Sequence, residues 1–341
     1  MPRSILPALL AFAVLAQPAA ALAATAAAPF SHAQLARFAS RVARRDALDR
    51  RWVLRVLEQA REQPDIIDMM NRPAEKELKW WQYRRIFLTR KRIALGVRFW
   101  RKHREALERT GAQWGVAPRY IVAILGVETY YGRMTGSYRV LDALSTLAFD
   151  YPSRESYFGH ELEKFLVLAH RDGLDPLTVK GSYAGAMGPM QFMPSNCLRY
   201  AVSTNGHPPN LLTNWGDIFA SVANYLHAHG WQAGEPVLAP VSIEPQATFR
   251  IDPDDLALDR TIGGLAAEGA RVESSAPADT PVALLLAQKR TGPAYRAGFH
   301  NFRVILSYNY SAMYAMAVND LAQAIARQMS QPRPALASRA G

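Results

Sequence analysis

The stretch Ile121–Gly136, IVAILGVETYYGRMTG, constrains most tightly what this chain can fold into. It begins as an apolar helix and ends in a loop punctuated by glycines. On a period of about 3.6 residues, Ile121, Ile124, Leu125 and Glu128 share one face. A carboxylate therefore lies on the stripe that a core should cover. Helices keep glutamate on the wet side, because an unpaired buried charge is costly. A fold built on this helix must neutralise Glu128 or make use of it. Arg133 and Arg139 are the candidate neutralising cations.

The alternative is a carboxyl held protonated for general-acid work. Pro118 fits the first helical turn, where its missing N–H costs nothing. The helix is expected to end near Gly132, so Glu128 lies close to the negative end of the helix dipole. That position and the apolar face both disfavour the charged form and raise the pKa. A glutamic acid protonated at neutral pH can protonate a glycosidic oxygen. The second unusual stretch is Gly181–Ser195, GSYAGAMGPMQFMPS. Gly185 and Gly188 let backbone approach a ligand or take positive φ. Gln191 offers a donor and an acceptor on an otherwise apolar floor, which suits hydroxyl and acetamido groups. A tight structural turn under the core would explain the same residues.

At 341 residues, with 49% hydrophobic and 20% charged residues, the chain has the composition of an ordinary globular protein with a sizeable core. Residues 1–23 stand apart: Arg3, an apolar run from Ile5 to Ala16, then Ala21-Leu22-Ala23 as a small-x-small cleavage site. This is expected to be a cleaved secretory signal peptide, too short to be a comfortable membrane span, and an uncleaved anchor is the alternative. No cysteine follows it to carry a lipid, so an exported, soluble protein that is not a lipoprotein is expected. Cys197 is the only cysteine, which excludes an intramolecular disulfide. The eight histidines are scattered, and no Cys/His cluster has zinc spacing. Neither cofactor nor metal is expected. The net charge of +11 is local: residues 37–109 hold 21 Lys/Arg against 10 Asp/Glu, and the rest of the chain holds 19 of each. Such a field attracts a polyanion, although a solvated helix face would read the same. Nucleic acid is set aside because of the export signal, in favour of an acidic polymer outside the cytoplasm.

From about Ser31, a possible N-cap, to Ala112 the pattern is helical, with Pro64 and Pro73 near helix ends. Trp80, Trp81, Tyr83, Phe87, Phe99 and Trp100 recur at helical spacing, which favours core packing over ligand stacking. Residues 141–170 continue helical, with Leu162, Phe165, Leu166 and Ala169 as a core stripe. Arg154, in the loop YPSRESYF, is exposed enough to meet an anion. Another helix runs from Asp217 to His229 and carries Asn224 and Tyr225. From Trp231 to about His300 the runs 237–243, 247–251, 271–272 and 281–288 suggest a small antiparallel insertion. Helix then returns with Ser311 as N-cap, and Tyr308 and Asn309 in the turn before it.

In order, ILGVETYYGR, LDALSTLAFDYPSRESYF, GSYAGAMGPMQFMPS, SVANYLHAHGW and FRVILSYNYSAMYAMAVNDL resemble the lytic murein transglycosylase B family, from Trp80 to about Leu321. The resemblance implies a mainly α fold. It has a lysozyme-like α-helical catalytic core, a helical N-terminal domain and a small antiparallel β insertion. The expected layout is signal peptide 1–23, basic helical domain 31–114, catalytic core 115–232, β insertion 233–300, return to helix 301–329, and a disordered tail 330–341. The implied reaction cleaves the β-1,4 bond between N-acetylmuramic acid and N-acetylglucosamine in peptidoglycan. Glu128 would be a single general acid and base, and the product a 1,6-anhydro end. By motif position Ser182, Gln191, Tyr225, Tyr308 and Asn309 would line sugar subsites, and Arg154 would meet stem-peptide carboxylates. The implied partners are glycan strands and stem peptides, with no nucleic acid and no lipid anchor, in the periplasm; the sequence names no protein partner.

Three departures qualify the resemblance. Some members carry an EF-hand-like calcium loop after the glycine-rich block. Here AVSTNGHPPNLLTNWGD lacks the alternating acids that calcium requires. The cysteine of lipoprotein members is missing. The arginine pair expected in the YP-x-x loop is Ser153-Arg154, so a weaker affinity for the stem peptide is expected. Two other functions fit the same residues: a muramidase that delivers water, with Asp142, Asp150 or Asp217 as its second carboxylate, and a catalytically silent peptidoglycan-binding scaffold.

Overall fold

The structure, a computed structural model, describes residues 30–71, 78–245, 247, 251–252 and 255–331. The expected signal segment 1–23, Pro73, residues 248–250 of the run 247–251, and 332–341 of the expected tail lie outside the described residues.

Among the described residues, six helices precede the Glu128 stretch: α1 (His32–Asp46), α2 (Arg50–Leu57), α3 (Pro64–Asn71), α4 (Trp80–Phe87), α5 (Arg90–Lys102) and α6 (Arg104–Trp114). Then come α7 (Pro118–Thr129), β1 (Tyr138–Arg139), α8 (Val140–Asp150), α9 (Glu155–Asp172), β2 (Lys180–Gly181), α10 (Pro194–Tyr200) and α11 (Trp215–Ala228). The remainder is β3 (Leu238–Ile243), β4 (Arg260–Thr261), α12 (Ile262–Ala267), β5 (Ala270–Val272), β6 (Pro281–Leu286) and β7 (Tyr295–Gly298). The last two helices are α13 (His300–Tyr308) and α14 (Ala312–Met329). Among the described residues the fold is mainly α with a small antiparallel sheet within 233–300, as expected, and a second, two-stranded antiparallel sheet, β1-β2, that was not expected. The described residues form two compact units, one of 30–71 and 128–225, the other of 78–127 and 226–331.

In the first unit α1 buries Leu35, Phe38, Ala39 and Val42 at helical spacing and packs against α2. Ser31 holds the N-cap position of α1, but its side chain makes no capping bond. Asp49 does cap α2, accepting from the Trp52 N–H at 2.6 Å. The centre is α8, buried from Val140 to Ala148, with α9 laid along it through Phe158, Leu162, Phe165, Leu166 and Ala169. Each buried leucine or phenylalanine contributes about 1.5–3 kcal/mol by leaving water. Glu161 of α9 is also buried, because its carboxylate accepts from Ser195 Oγ at 2.6 Å and Ser195 N at 3.0 Å, at the start of α10.

In the second unit α14 packs against α4 and α5. Trp80, Tyr83 and Phe87 are buried there, so these aromatics form core. The Ser311 hydroxyl caps α14, accepting from Tyr314 N at 3.2 Å. The larger sheet has strand order β4-β6-β7-β3-β5. In β3, Ala239 and Val241 point inward and Pro240 and Ser242 outward, as a period of two requires. They join Leu265, Val272, Leu284 and Phe299 in a separate small core. Three elements here were not legible in the sequence, the first being β4, two residues paired with β6. YRAG has little strand preference yet forms β7, because it pairs with β6 on one side and β3 on the other. IGGLAA forms α12 despite two glycines, started by Thr261 Oγ1, which accepts from Gly264 N at 3.0 Å.

Candidate active site

Helix α7 ends at Thr129, three residues before the expected stop. Tyr130, Tyr131 and Gly132 follow with φ of 54°, 63° and 77°. Two consecutive non-glycine residues in the left-handed region are strained, and persist only where their surroundings fix them. Thr129 supplies that fixing. Its buried hydroxyl donates to Pro189 O at 2.7 Å and accepts from Gly132 N at 2.9 Å. Its carbonyl accepts from Arg133 N and Met134 N, both at 2.9 Å. The end of α7 is thus tied to the glycine-rich block, and Glu128, 4% exposed, is held in the turn just before that tie.

The block itself is a tight fold-back. Met187 N donates to Phe192 O at 2.8 Å and Phe192 N to Met187 O at 3.1 Å. Strand β1 pairs with β2, setting Tyr138 opposite Gly181. Gly136, at φ 99°, approaches this strand so closely that a Cβ would lie 2.0 Å from Gly181 O. A Cβ on Gly188 would lie 2.3 Å from Leu211 O. Gly136 and Gly188 are therefore required by close approach to backbone, whereas a Cβ on Gly185, at φ 82°, would lie 2.4 Å from the Leu144 side chain.

The unit of 30–71 and 128–225 holds Glu128, Ser182, Gln191, Tyr225 and Arg154. Gln191 has φ 53° and gives both amide hydrogens to backbone, at 3.0 Å to Gly188 O and 3.1 Å to Thr135 O. Its donors hold the loop after α7 against the block, and Oε1 takes no part in these two bonds. Ser182 Oγ accepts from Ala186 N at 3.0 Å and keeps its own proton to donate. Tyr225 is 5% exposed, with ring contacts to Phe192 and Tyr200 at 5.4 and 4.8 Å. Arg154 is half-buried, less open than expected, because its guanidinium stacks over Tyr157 at 4.5 Å and Phe158 at 5.1 Å. Burial pushes the Tyr157 hydroxyl well up from its ordinary pKa, and the Glu161 carboxylate adds to this. Tyr157 sits three residues after Arg154, a helical spacing that could have flagged it. Nothing in the sequence marks Thr129, whose partner Pro189 is 60 residues away.

Tyr308 and Asn309 belong to the other unit. Tyr308 ends α13 and stacks on Tyr314 at 6.5 Å, and Asn309 is its C-cap. Asn309 is 2% exposed, and its Oδ1 and Nδ2 have no hydrogen-bond partner among the described residues.

Of the two cations near Glu128 in sequence, Arg139 is committed elsewhere, to Asp142 at 2.6 and 2.7 Å and to Gln59 O at 2.9 Å. Arg133 is exposed. Asp142 also accepts from Arg61 N at 2.9 Å. Asp217, fully buried, accepts from Thr204 N at 2.8 Å, Thr204 Oγ1 at 2.6 Å and Asn210 N at 2.9 Å. Asp150, the third acid considered, is exposed at the end of α8. The loop 201–214 thus closes on Asp217 through N–H and O–H donors. Calcium needs six to eight oxygens, several of them carboxylate, so the residues at this place do not fit that ion.

A mainly helical fold that buries Glu128 beside the tie between α7 and a glycine-rich fold-back is that of an enzyme of the lysozyme-like class. The chain belongs to the family of the transglycosylase SLT domain, whose model matches residues 31–323. It is 38% identical to membrane-bound lytic murein transglycosylase B of Escherichia coli K12 over 298 residues, 85% of this chain and 81% of that one. Soluble lytic transglycosylase SltB1 of Pseudomonas aeruginosa superposes with a TM-score of 0.80 at 42% identity, over 87% of this chain and 100% of that one. SltB3 of the same organism, solved with NAG-NAM-pentapeptide, gives 0.76 at 28% identity, over 87% and 80%.

Proposed function

We propose that this chain is a peptidoglycan lytic transglycosylase in which Glu128 acts alone as acid and base. The carrying observation is a glutamate 4% exposed, next in sequence to Thr129, whose hydroxyl bonds Pro189 O of the glycine-rich block. Removal from water favours the neutral carboxyl. Glu128 gives its proton to the glycosidic oxygen as the bond to C1 of the muramic acid breaks. The resulting carboxylate takes the proton of the C6 hydroxyl, and that oxygen closes on C1. The products are a free sugar hydroxyl and a 1,6-anhydro end, with the acid reset and no water consumed. The intramolecular attack has a high effective molarity, and the acetamido group stabilises charge at C1.

Two acids that could activate water are already engaged, Asp142 by Arg139 and Asp217 by Thr204 and Asn210. This favours the single-acid route over a muramidase. Ser182, Gln191 Oε1 and Tyr225 are proposed as sugar contacts, with Tyr308 and Asn309. The two unmet groups of Asn309 suit a ligand's hydroxyl or amide. Arg154 is proposed for stem-peptide carboxylates, and the basic helices for the anionic polymer. The proposed layout keeps 115–232 as the catalytic core, with 233–300 as an insertion. The proposed compartment is the periplasm; among the described residues no helix is long and apolar enough to cross a membrane.

Mass spectrometry of released fragments tests this. Muropeptides lighter by one water, without a reducible end, are expected. Reducing ends would replace the mechanism with hydrolysis. Glu128→Gln should lower turnover by about a thousandfold or more with binding retained; a lytic Glu128→Gln enzyme would remove Glu128 from the chemistry.

A further inference from the structure

A groove in the unit of 78–127 and 226–331 has no role in the chemistry above. Its cavity volume is about 770 Å³, within the size range of ligand pockets. The start of α7, the segment leading into β3, the loop after β5 and one face of α14 line it. Arg119, Glu235 and Glu273 supply charges of both signs, and none of the three forms an ion pair among the described residues. The Nε–H of Arg119 is buried without an acceptor. Its guanidinium carbon lies 5.1 Å from the Tyr120 ring centroid, which holds the plane in place. Glu273 accepts only from Ser242 Oγ, at 3.2 Å.

Two amides complete the lining. Asn319 is 7% exposed, and its Nδ2 reaches Asp320 only at 3.5 Å. Gln323 Nε2 reaches the Tyr120 hydroxyl at the same 3.5 Å. Both contacts stand at the limit of hydrogen-bond geometry, so either amide can exchange its partner for a better one. A guanidinium held against a ring on the groove lining, with no carboxylate of its own among the described residues, matches a carboxylate. Carboxylates on the same lining match an ammonium group, and side-chain amides match peptide groups. A sugar would satisfy the amides and leave the charges unmet.

We propose that this groove binds a short zwitterionic peptide. Arg119 takes a carboxylate, Glu235 and Glu273 an ammonium, and Asn319 and Gln323 the peptide amides. Only the choice of peptide rests on the proposed function: in a wall-acting enzyme it is the peptidoglycan stem. Calorimetric titration of the protein with the free pentapeptide stem, carrying no sugar, tests it.

Saturable binding is expected, weakened about tenfold or more by Arg119→Gln and also by Glu273→Gln, with melting temperatures unchanged. The same peptide with its carboxylates amidated should bind wild type as weakly as the free peptide binds Arg119→Gln. If Arg119→Gln does not fold, the amidated peptide on wild type carries the test. No saturable binding, or equal binding by both variants and both peptides, overturns the proposal. Failure of the glycan-cleavage mechanism would appear in the muropeptide products and leave this titration untouched.

Discussion

Replacing Thr129 with valine keeps the shape of the side chain and deletes its hydroxyl. Two hydrogen bonds go with it: to Pro189 O at 2.7 Å, in the interior, and from Gly132 N at 2.9 Å, half-buried. Leaving a buried polar group unmet costs about 1–3 kcal/mol, and a half-buried one less, so the sum is roughly 2–4 kcal/mol. For a chain of this size that corresponds to a fall in Tm of about 3–6 °C. The second consequence is local. Without the hydroxyl, the left-handed Tyr130–Tyr131 turn keeps the Thr129 carbonyl bonds but loses its tie to Pro189, and the carboxyl of Glu128 is held less firmly. A misplacement of about 1 Å can cost on the order of a hundredfold in rate. Calorimetry and turnover on purified peptidoglycan, measured on the same Thr129→Val preparation, read both effects. A variant melting within about 1 °C of wild type and cleaving at the wild-type rate would refute the claim that this hydroxyl fixes the site.

Gly136→Ala should destabilise severely, by about 3 kcal/mol or more, because its Cβ would lie 2.0 Å from Gly181 O on a backbone that β pairing holds; urea titration reads this. Millimolar calcium should leave the melting temperature unchanged, since Asp217 is engaged by Thr204 and Asn210; a native-state ligand at a hundred times its Kd would add about 2.7 kcal/mol and could not be missed. Burial raises the Glu161 pKa above its ordinary 4.5, against the opposing Ser195 hydrogen bonds. The native state therefore binds more protons than the unfolded chain between 4.5 and that raised value, and this group's contribution falls as pH rises through the window. Glu161→Gln should remove that downward slope from a plot of stability against pH; an unchanged slope would exclude Glu161 as its source.

Much of the site is written in local patterns. The stripe of Ile121, Ile124 and Leu125 places Glu128 on a buried helix face, and Pro118 marks where α7 begins. Ser311 marks the start of α14, and alternation in 237–243 marks β3. These follow from contacts within one or two turns, which a window of residues contains. The glycine-rich block identifies itself by composition, although composition does not say why each glycine is needed.

Other features depend on partners far along the chain. Arg139, one of the two candidate cations for Glu128, turns to Asp142 and Gln59. Gln191 spends its donors on Thr135 and Gly188, where the sequence promised both donor and acceptor to a ligand. Ser31 holds a cap position without capping, and Arg154 lies under two rings. Strand β7 exists because β3 and β6 come to lie on either side of a weak segment. The sequence by itself determined which helix carries the buried acid, because side-chain periodicity is set by the geometry of a single helix. Only the tertiary structure decided how that acid is held, because the hydroxyl, carbonyl and amide that fix it are 56 and 60 residues apart and meet through packing that no local pattern encodes.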